Sequence, residues 1–521
     1  MENHEVGHMA AAKRKKHDIK GGRKSGILMP ISGIPSRFGI GGFSKEAYAF
    51  VDFLKAAGQS LWQILPLGPT GYGDSPYQSF STFAGNPYYI DLEELIQAGY
   101  LMENECESTD YGNDPAHVDY EKIWLTRFNL LRKAYGRAVK KGVLQKAEYQ
   151  RFVRENESWL PDYALYMAVK GYFQNVCWVE WDEDIRLRKP AAVKKYREKL
   201  EEEVDFYQFQ QYLFAAQWKA LKAYANDKGI RIVGDIPIYV AFDSADIWAN
   251  PELFQLDEEN LPIGVAGCPP DAFCATGQLW GNPLYRWEYH HKTGYAWWIR
   301  RIAYCYQLYD VVRIDHFRGF ESYWFVPYGD ETAEYGHWVK GPGYDLFRAL
   351  KEALGDLDVI AEDLGFLTKE VLALVKKTGY PGMKILQFAF GDDADNAYLP
   401  HNYAQNCIVY TGTHDNDTTL GWYRSLDAKT RRHVRKYLGI KSGRGASEIP
   451  RLLIRTALAS VADTAIIPMQ DYLGLDSSGR INTPSTLGGN WEWRLLPEQA
   501  TTELAEQIRE LTTLYGRLRT P

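Results

Sequence analysis

The sequence predicts an α/β protein built on a (β/α)₈ TIM barrel, with inserted, mainly helical subdomains on the loops at the C-terminal face. Eight short runs of apolar and β-branched residues recur along the chain, and most end in Gly, Pro, Asp or Asn. Such runs are typical of strands that are buried on both faces of a parallel sheet. Stretches with helical periodicity separate most of them, which is the alternation of a parallel barrel. A chain of 521 residues with 45% hydrophobic residues can bury the large core that this fold needs.

The candidate strands are Gly26–Ile31, Ser60–Leu67, Arg231–Tyr239, Val311–Phe317, Val359–Gly365, Lys384–Phe390, Ile408–Asp415 and Thr464–Tyr472. The intervening helical stretches include Ser44–Ala57, Tyr344–Leu354, Thr368–Thr378 and Glu448–Val461. An open doubly wound sheet is the alternative, and it usually carries a glycine-rich phosphate turn after its first strand. Gly39, Gly41 and Gly42 follow the first run without matching G-x-G-x-x-G, so we predict a simple turn and favour the barrel.

Two long gaps between strands predict insertions into a catalytic barrel that spans residues 26–521. Residues 70–228 form a mostly helical insertion, and residues 241–305 form a lid and loop insertion. Helical periodicity in the first gap covers Tyr120–Lys141, Lys146–Glu155, Pro190–Glu203 and Val204–Asn226. The acidic, polar segment Glu103–Asp114 is predicted to be a surface loop. Because loops after barrel strands carry function, we expect both insertions to border the site.

The two ends of the chain differ in character. Residues 1–25 are basic with almost no apolar content, so we predict a disordered N-terminal tail rather than a secretory signal. A nucleic-acid-binding arm is the alternative for this tail. Near the other end, Leu504, Ile508, Leu511 and Leu514 have helical spacing and predict a closing helix within residues 497–518.

Composition excludes several classes of protein. The net charge of −7 gives no basic field for nucleic acid or an anionic membrane. No apolar run is long enough to span a bilayer. Six cysteines cannot form a disulfide framework in a chain of this length, and Cys268 and Cys274 match no usual zinc spacing. We therefore expect free thiols, a cytoplasmic location, no metal and no cofactor.

Acidic residues lie at the ends of several candidate strands, where barrel active sites form. They are Asp235, Asp315, Glu362, Asp363, Asp415 and Asp471. A single acid after a strand is often a helix N-cap, and Asp363 is a candidate for that role. Several such acids from separate strands would meet at one mouth, which favours a catalytic interpretation.

A pair of carboxyl groups is the apparatus of glycoside chemistry, which needs one protonated acid and one ionised partner. Arg313 lies two residues before Asp315, so both side chains point to the same face of the strand and the guanidinium should keep Asp315 ionised. Glu362 has the apolar neighbours Ala361 and Leu364, so desolvation should raise its pKa and suit it to be a general acid. A purely structural Arg313–Asp315 ion pair is the alternative.

Aromatic residues make up 14% of the chain, and many lie on loops rich in Gly and Pro. Tyr72 and Tyr77 follow the second candidate strand, Trp280 follows the third, and Trp491 and Trp493 lie near the end of the chain. Tyr and Trp combine an apolar face with a polar edge, which matches the faces and edges of sugars. The alternative is that these rings pin long loops to the barrel.

Seven sequence segments together resemble the 4-α-glucanotransferases, or amylomaltases, of the α-amylase superfamily. They are LPLGPTGYGDSPYQSFSTFAGNPYYIDL, GDIPIYVAFDSADIW, GQLWGNPLY, VRIDHFRGF, AEDLG, YTGTHDNDT and NTPSTLGGNWEWR. They run from about residue 26 to residue 494, so the resemblance covers nearly the whole chain except the N-terminal tail.

The resemblance implies three catalytic carboxylates. Asp315 matches the nucleophile that forms a covalent glucosyl-enzyme, Glu362 the general acid/base, and Asp415 the third carboxylate that grips sugar hydroxyls. The implied substrate-binding residues are Tyr72, Asp74, Ser75, Tyr77, Trp280, Arg313, Asp392 and His414. Trp280 matches a lid aromatic over the acceptor side, and Asp393 fits the motif as well as Asp392 does.

The resemblance also implies a reaction. The partners would be α-1,4-glucans and maltooligosaccharides, with glucose or glucan as the acceptor, and the mechanism a retaining double displacement without a cofactor. A retaining pair of carboxyl groups lies about 5–5.5 Å apart. Two alternatives remain, an α-glucan hydrolase with the same carboxylates and an inactive glucan-binding barrel.

Overall fold

The computed structural model describes residues 22–71, 73–270, 275–365, 367–391, 394–440 and 445–519. Twelve strands lie within these ranges: β1 Lys24–Leu28, β2 Leu61–Gln63, β3 Arg231–Ile236, β4 Gly264–Cys268, β5 Gln278–Pro283, β6 Val311–Ile314, β7 Ser322–Pro327, β8 His337–Lys340, β9 Val359–Ala361, β10 Gly382–Ile385, β11 Cys407–Tyr410 and β12 Thr464–Pro468.

The helices up to β3 are α1 Lys45–Ala56, α2 Leu92–Gln97, α3 Glu103–Glu107, α4 Tyr120–Lys140, α5 Ala147–Glu155, α6 Leu160–Tyr172, α7 Glu183–Arg186, α8 Pro190–Lys199 and α9 Glu201–Asp227. The later helices are α10 Ala245–Ala249, α11 Trp287–Lys292, α12 Ala296–Leu308, α13 Tyr344–Leu354, α14 Lys369–Thr378, α15 Thr419–Ser425, α16 Ala428–Tyr437, α17 Ile449–Ala459, α18 Met469–Tyr472 and α19 Thr502–Leu514. No helix in the described ranges is both long and apolar enough to cross a membrane.

Eight parallel strands form the predicted barrel. Their order is β10-β11-β12-β1-β2-β3-β6-β9, so each of the eight candidate strands of the sequence is present and neighbours follow the order of the chain. The strands at the two ends of this order, β9 and β10, approach each other where the N–H of Ala361 donates to the carbonyl of Pro381 at 3.0 Å. The fold class is therefore confirmed as a near-closed (β/α)₈ barrel with helices around it.

The barrel explains why its strands are nearly continuous apolar runs. Side chains such as Leu28, Val233 and Ile466 fill the interior, whereas neighbours such as Ile27 and Ile232 pack against the surrounding helices. Both faces are buried, so alternation of polar and apolar residues is absent. The observed strands are shorter than the candidate runs at their C-terminal ends, where the chain leaves the sheet to form the loops that carry the site.

A second sheet of four antiparallel strands was not predicted. Its order is β5-β4-β7-β8, and β7 and β8 lie between the barrel strands β6 and β9. Two strands of this sheet, β4 and β5, lie within residues 241–305, for which we predicted a lid and loop insertion, and the other two lie within residues 322–340. Gly and Pro interrupt the sequences of β4 and β5, which is why the pattern indicated loops.

The segment between β2 and β3 contains the helices α2 to α9. The helix α4 begins after Asp119, whose side chain accepts the N–H of Lys122, and it matches its predicted range within one residue. The structure differs from the prediction in that α3 lies within the segment predicted to be a loop, and α2, α6 and α7 were not predicted. At the N-terminus, β1 begins at Lys24, so the predicted tail boundary at residue 25 is too late; residues 1–21 lie outside the described part.

Candidate active site

Asp315 lies directly after β6, at the C-terminal face of the barrel. Its Oδ1 is 2.9 Å from the guanidinium of Arg313, and the same guanidinium donates to both carboxylate oxygens of Asp235 at 2.7 Å. Asp235 and Arg313 are register partners on β3 and β6, so the sheet itself sets this contact. The Asp315 side chain keeps 31% of its surface exposed, whereas Arg313 and Asp235 are almost fully buried. Asp315 is thus the member of this triad that a substrate can reach.

Glu362 follows β9 and is held by main-chain donors. Its Oε2 accepts the N–H of His316 at 2.6 Å, and its Oε1 accepts the N–H of Leu364 at 2.8 Å. The barrel register pairs Ile314 with Ala361, the residues just before Asp315 and Glu362. The two carboxyl groups therefore emerge side by side from neighbouring strands.

The electrostatic surroundings of the two carboxyl groups differ. Burial, reinforced by the negative charge of Asp315, raises the pKa of Glu362 to about 8. Burial also raises the pKa of Asp315, and the adjacent Arg313 guanidinium opposes that rise. We predicted that the guanidinium of Arg313 would keep Asp315 ionised; the guanidinium does lower the pKa of Asp315, but desolvation is the larger effect. Since only Asp315 has a guanidinium in contact, we infer that it ionises before Glu362.

Asp415 lies after β11 and is positioned by the loop that follows β12. Its Oδ1 accepts the side-chain amide of Asn482 at 2.6 Å, and its carbonyl accepts from Arg480 at 3.0 Å. The carboxylate keeps 45% of its surface exposed. Asn482 and Arg480 were not among the predicted site residues, although Asn482 opens one of the conspicuous sequence segments.

Tyr77 connects the predicted residues of the mouth. Its hydroxyl donates to Asp235 at 2.9 Å and lies 2.9 Å from Nε2 of His414. Because the hydroxyl has one proton, its oxygen accepts from His414, which places the imidazole proton on Nε2. The two rings also stack with centroids 5.2 Å apart, and the same nitrogen lies 3.4 Å from Asp415.

The other predicted residues after β2 adjoin Tyr77. The hydroxyl of Ser75 accepts the N–H of Tyr77, and Asp74 adopts a left-handed backbone conformation with φ of 55°. Burial, reinforced by the charge of Glu492, raises the pKa of Asp74 to about 6. Tyr72 lies outside the described residues.

Trp280 on β5 approaches the site from the second sheet. Its ring meets the imidazole of His316 edge to face, with centroids 4.7 Å apart, and it lies 6.3 Å from the ring of Tyr239. His316 and Tyr239 were not predicted as site residues. Asp392 and its alternative Asp393 lie outside the described residues.

Two acids at strand ends do not face the mouth. Asp471 accepts from the hydroxyls of Thr411 and Thr419, and Asp363 accepts the N–H of Met383 at 2.7 Å. Both are buried and cross-link neighbouring strands and loops. Asp363 therefore has a structural role, as the sequence allowed, but it links neighbouring strands instead of capping a helix.

A cavity of about 560 Å³ is lined by residues of the loop that positions Asp415. Its lining includes Asn482 and Arg480, the two residues that hold Asp415, together with Asp417, Ser477 and Glu492. Hydroxyl, amide and charged groups dominate this surface, which suits a ligand with many hydroxyl groups.

Comparisons with known proteins agree on one family. The family described as 4-alpha-glucanotransferase matches residues 29–500 of the chain. The chain is 52% identical over 498 residues to a 4-alpha-glucanotransferase of Streptococcus pneumoniae serotype 4, covering 95% of this chain and 98% of that protein. It is 50% identical to a 4-alpha-glucanotransferase of Clostridium butyricum, covering 94% of this chain and 100% of that protein.

A solved structure gives the same result. The fold is similar to that of the amylomaltase from Streptococcus agalactiae in complex with acarbose, with a TM-score of 0.91 and 43% sequence identity. The match covers 95% of this chain and 100% of the other.

Proposed function

Because the chain belongs to the 4-alpha-glucanotransferase family and is a glycosyltransferase of that kind, we propose that it moves a segment of an α-1,4-glucan to the 4-hydroxyl of a glucose or glucan acceptor by a retaining double displacement. The observation that carries this proposal is the arrangement of two carboxyl groups with different environments. Asp315 is in contact with a guanidinium, whereas Glu362 is held by two main-chain N–H groups and keeps its proton to about pH 8.

In the first half-reaction, the ionised Asp315 attacks the anomeric carbon of the donor and the bond to the leaving glucan breaks. Glu362 gives its proton to the departing oxygen, which leaves a glucosyl group covalently bound to Asp315. The negative charge of Asp315 is consumed in this step, so the repulsion that raises the pKa of Glu362 is relieved as Glu362 becomes ionised.

In the second half-reaction, Glu362 acts as a base. It takes the proton of the acceptor 4-hydroxyl, whose oxygen attacks the anomeric carbon and releases Asp315. Two inversions at one carbon retain the α configuration, and every proton is returned. The reaction balances without a cofactor.

The remaining predicted residues complete the site in this proposal. Asp415, oriented by Asn482, holds hydroxyl groups of the sugar that reacts, and Arg313 and His414 contact the same sugar. The loop with Tyr72, Asp74, Ser75 and Tyr77 binds the glucan, as does Asp392, and Trp280 covers the acceptor side.

The substrate class follows from the family and from the chemistry of the mouth. The similar amylomaltase of Streptococcus agalactiae forms a complex with acarbose. In this chain, the polar cavity lined by Asn482 and Arg480 offers hydroxyl, amide and charged groups to further sugar units of the same glucan. We propose that it receives part of a maltooligosaccharide.

Incubation of the purified protein with maltotriose tests the proposal. Glucose, maltopentaose and longer chains should form while the total number of reducing ends stays constant. A steady rise in reducing ends would identify a hydrolase instead. The D315N variant is the matched control, since it keeps the size of the side chain but removes the nucleophile, and its rate should fall by several orders of magnitude.

A further inference from the structure

His316 has an unusual backbone conformation for a residue with a side chain. It follows Asp315 and adopts φ of 51° and ψ of 48°, the left-handed region that residues other than glycine rarely enter. In this conformation its N–H donates to Oε2 of Glu362 at 2.6 Å. The next N–H, of Phe317, donates to the main-chain carbonyl of Glu362 at 3.0 Å. Two consecutive donors thus hold both ends of the acid/base residue.

The imidazole of His316 is packed between rings of the lid insertion and the barrel. Trp280 contacts it edge to face at 4.7 Å between centroids, and Tyr239 lies 6.4 Å away. Burial, assisted by the charge of Arg318, lowers the pKa of His316 to about 3. The ring is therefore neutral wherever the enzyme would work, and its contribution is contact rather than proton transfer.

We propose that His316 is a positioning residue that couples Trp280 to Glu362. The contact between imidazole and indole keeps residue 316 in the left-handed conformation, and that conformation aims its N–H at the carboxyl group that protonates the leaving glucan. When Trp280 packs over a sugar on the acceptor side, its contact with His316 would then also hold the carboxyl group of Glu362 in position. This inference rests on the proposed function, because it gives Glu362 the acid/base role.

The coupling has a measurable electrostatic consequence. An N–H that donates to a carboxylate favours the ionised form and so opposes the effect of burial on Glu362. If residue 316 leaves its conformation, this bond is lost and the pKa of Glu362 rises further. Among the residues that the structure describes, the charged and titratable groups that act on Glu362 are Arg313 on β6, Asp315 directly after it and the phenol of Tyr398. A substitution at residue 316 replaces none of them.

The pH dependence of kcat/KM for maltotriose separates positioning from mere structural support. Alanine disfavours the left-handed conformation, so H316A should move the alkaline limb upward by about one pH unit. Asparagine tolerates this conformation, so H316N should stay close to wild type although it lacks the ring. Equal shifts in the two variants, or no shift in H316A, would overturn the proposal.

A double-mutant cycle tests the link to Trp280. The W280A substitution should shift the alkaline limb in the same direction in the wild-type background, but it should add nothing in the H316A background. Additive shifts would show that the two residues act separately and would overturn the coupling. W124A, which removes an exposed ring on α4 that is 42% accessible, is the control and should leave the limb unchanged. If E362Q kept wild-type transfer, the proposed function itself would fail, and that result is distinct from an unshifted H316A.

Discussion

The carboxyl group of Glu362 sits in an environment that favours its protonated form, and this determines how the activity should depend on pH. Its pKa of about 8 predicts that kcat/KM falls above about pH 8, because the free enzyme then lacks its acid. Initial rates of maltotriose disproportionation from pH 5 to pH 10 measure this limb. A limb that lies near pH 4.5, the ordinary value for a glutamate, would contradict the assignment.

The same residue can be tested by changing the leaving group of the donor. E362Q should lose several orders of magnitude in rate with maltotriose, because the departing oxygen receives no proton. A donor with a leaving group that departs without a proton, such as an α-maltosyl fluoride, should restore the first half-reaction. D315N should not be restored by this donor, which separates the nucleophile from the acid.

Burial of Glu362 also predicts a cost in stability. Its ordinary pKa is 4.5 and its pKa in the folded protein is about 8, so between these values the folded state binds more protons than the unfolded state. The free energy of unfolding should therefore fall as the pH rises through this window, on the order of 3 kcal/mol between pH 5 and pH 8. E362Q should lack this dependence, so its melting temperature relative to wild type should rise from pH 5 to pH 8. A constant difference between the two proteins would refute the prediction.

At this scale the sequence was informative about residue types and uninformative about main-chain contacts. The spacing of Arg313 and Asp315 predicts one shared face because alternate residues of a strand point the same way. The role of the His316 N–H could not be predicted, because it depends on a left-handed conformation that no motif indicates. Asn482 was missed for a related reason: its contact with Asp415 joins loops that follow different strands.

At the scale of elements, the second sheet places Trp280 against His316, and the acceptor-side role that we propose for this ring predicts an effect on the choice between transfer and hydrolysis. Replacement of Trp280 by alanine should open the acceptor side to water and raise the share of hydrolysis about tenfold or more, with a smaller loss of total turnover. The ratio of reducing ends formed to glucose released measures it. W124A is again the matched control, since that ring lies on α4.

The barrel strands and the second sheet show why one was predictable and the other was not. Barrel strands are buried on both faces, so runs such as Thr464–Pro468 remain apolar and stand out from the helices around them. The strand β5 has exposed Leu279 and Gly281 between less exposed neighbours, and Gly and Pro interrupt its sequence. As the edge strand of the second sheet, β5 depends on its one neighbour β4 for stability, which a local pattern does not reveal.

At the scale of the whole molecule, Arg517 connects the segment before β12, the last strand of the barrel in the chain, to the start of β1, the first. Its guanidinium is fully buried and donates to the carbonyls of Leu458, Ser460 and Ala462 and, at 2.9 Å, to the carbonyl of Lys24 at the start of β1. Arg23 also donates to the carbonyls of Leu458 and Ser460. Removal of the Arg517 guanidinium therefore takes one of two donors from these carbonyls and takes a buried donor from the carbonyls of Ala462 and Lys24.

R517A should therefore lower the free energy of unfolding by about 3–5 kcal/mol. Denaturant titration measures the loss, and transfer activity well below the melting temperature should persist because Arg517 lies at the N-terminal ends of β1 and β12. R154A, which removes an exposed guanidinium on α5, should change stability by less than about 0.5 kcal/mol. A comparable loss in both variants would show that the buried contacts of Arg517 are not the cause.

The contact between Arg517 and the start of β1 determines where the protein can be tethered. Arg23 reinforces it by donating to the carbonyl of Tyr515 at 3.1 Å, so both described ends of the chain meet on the barrel face opposite the carboxylates. If the protein were tethered to a solid support near residue 22 or residue 519, the face with the carboxylates would point away from the support. Long polymers would then have free access to that face. A short peptide that links residue 22 to residue 519 would likewise allow circular permutants, with new termini placed in loops of the opposite face.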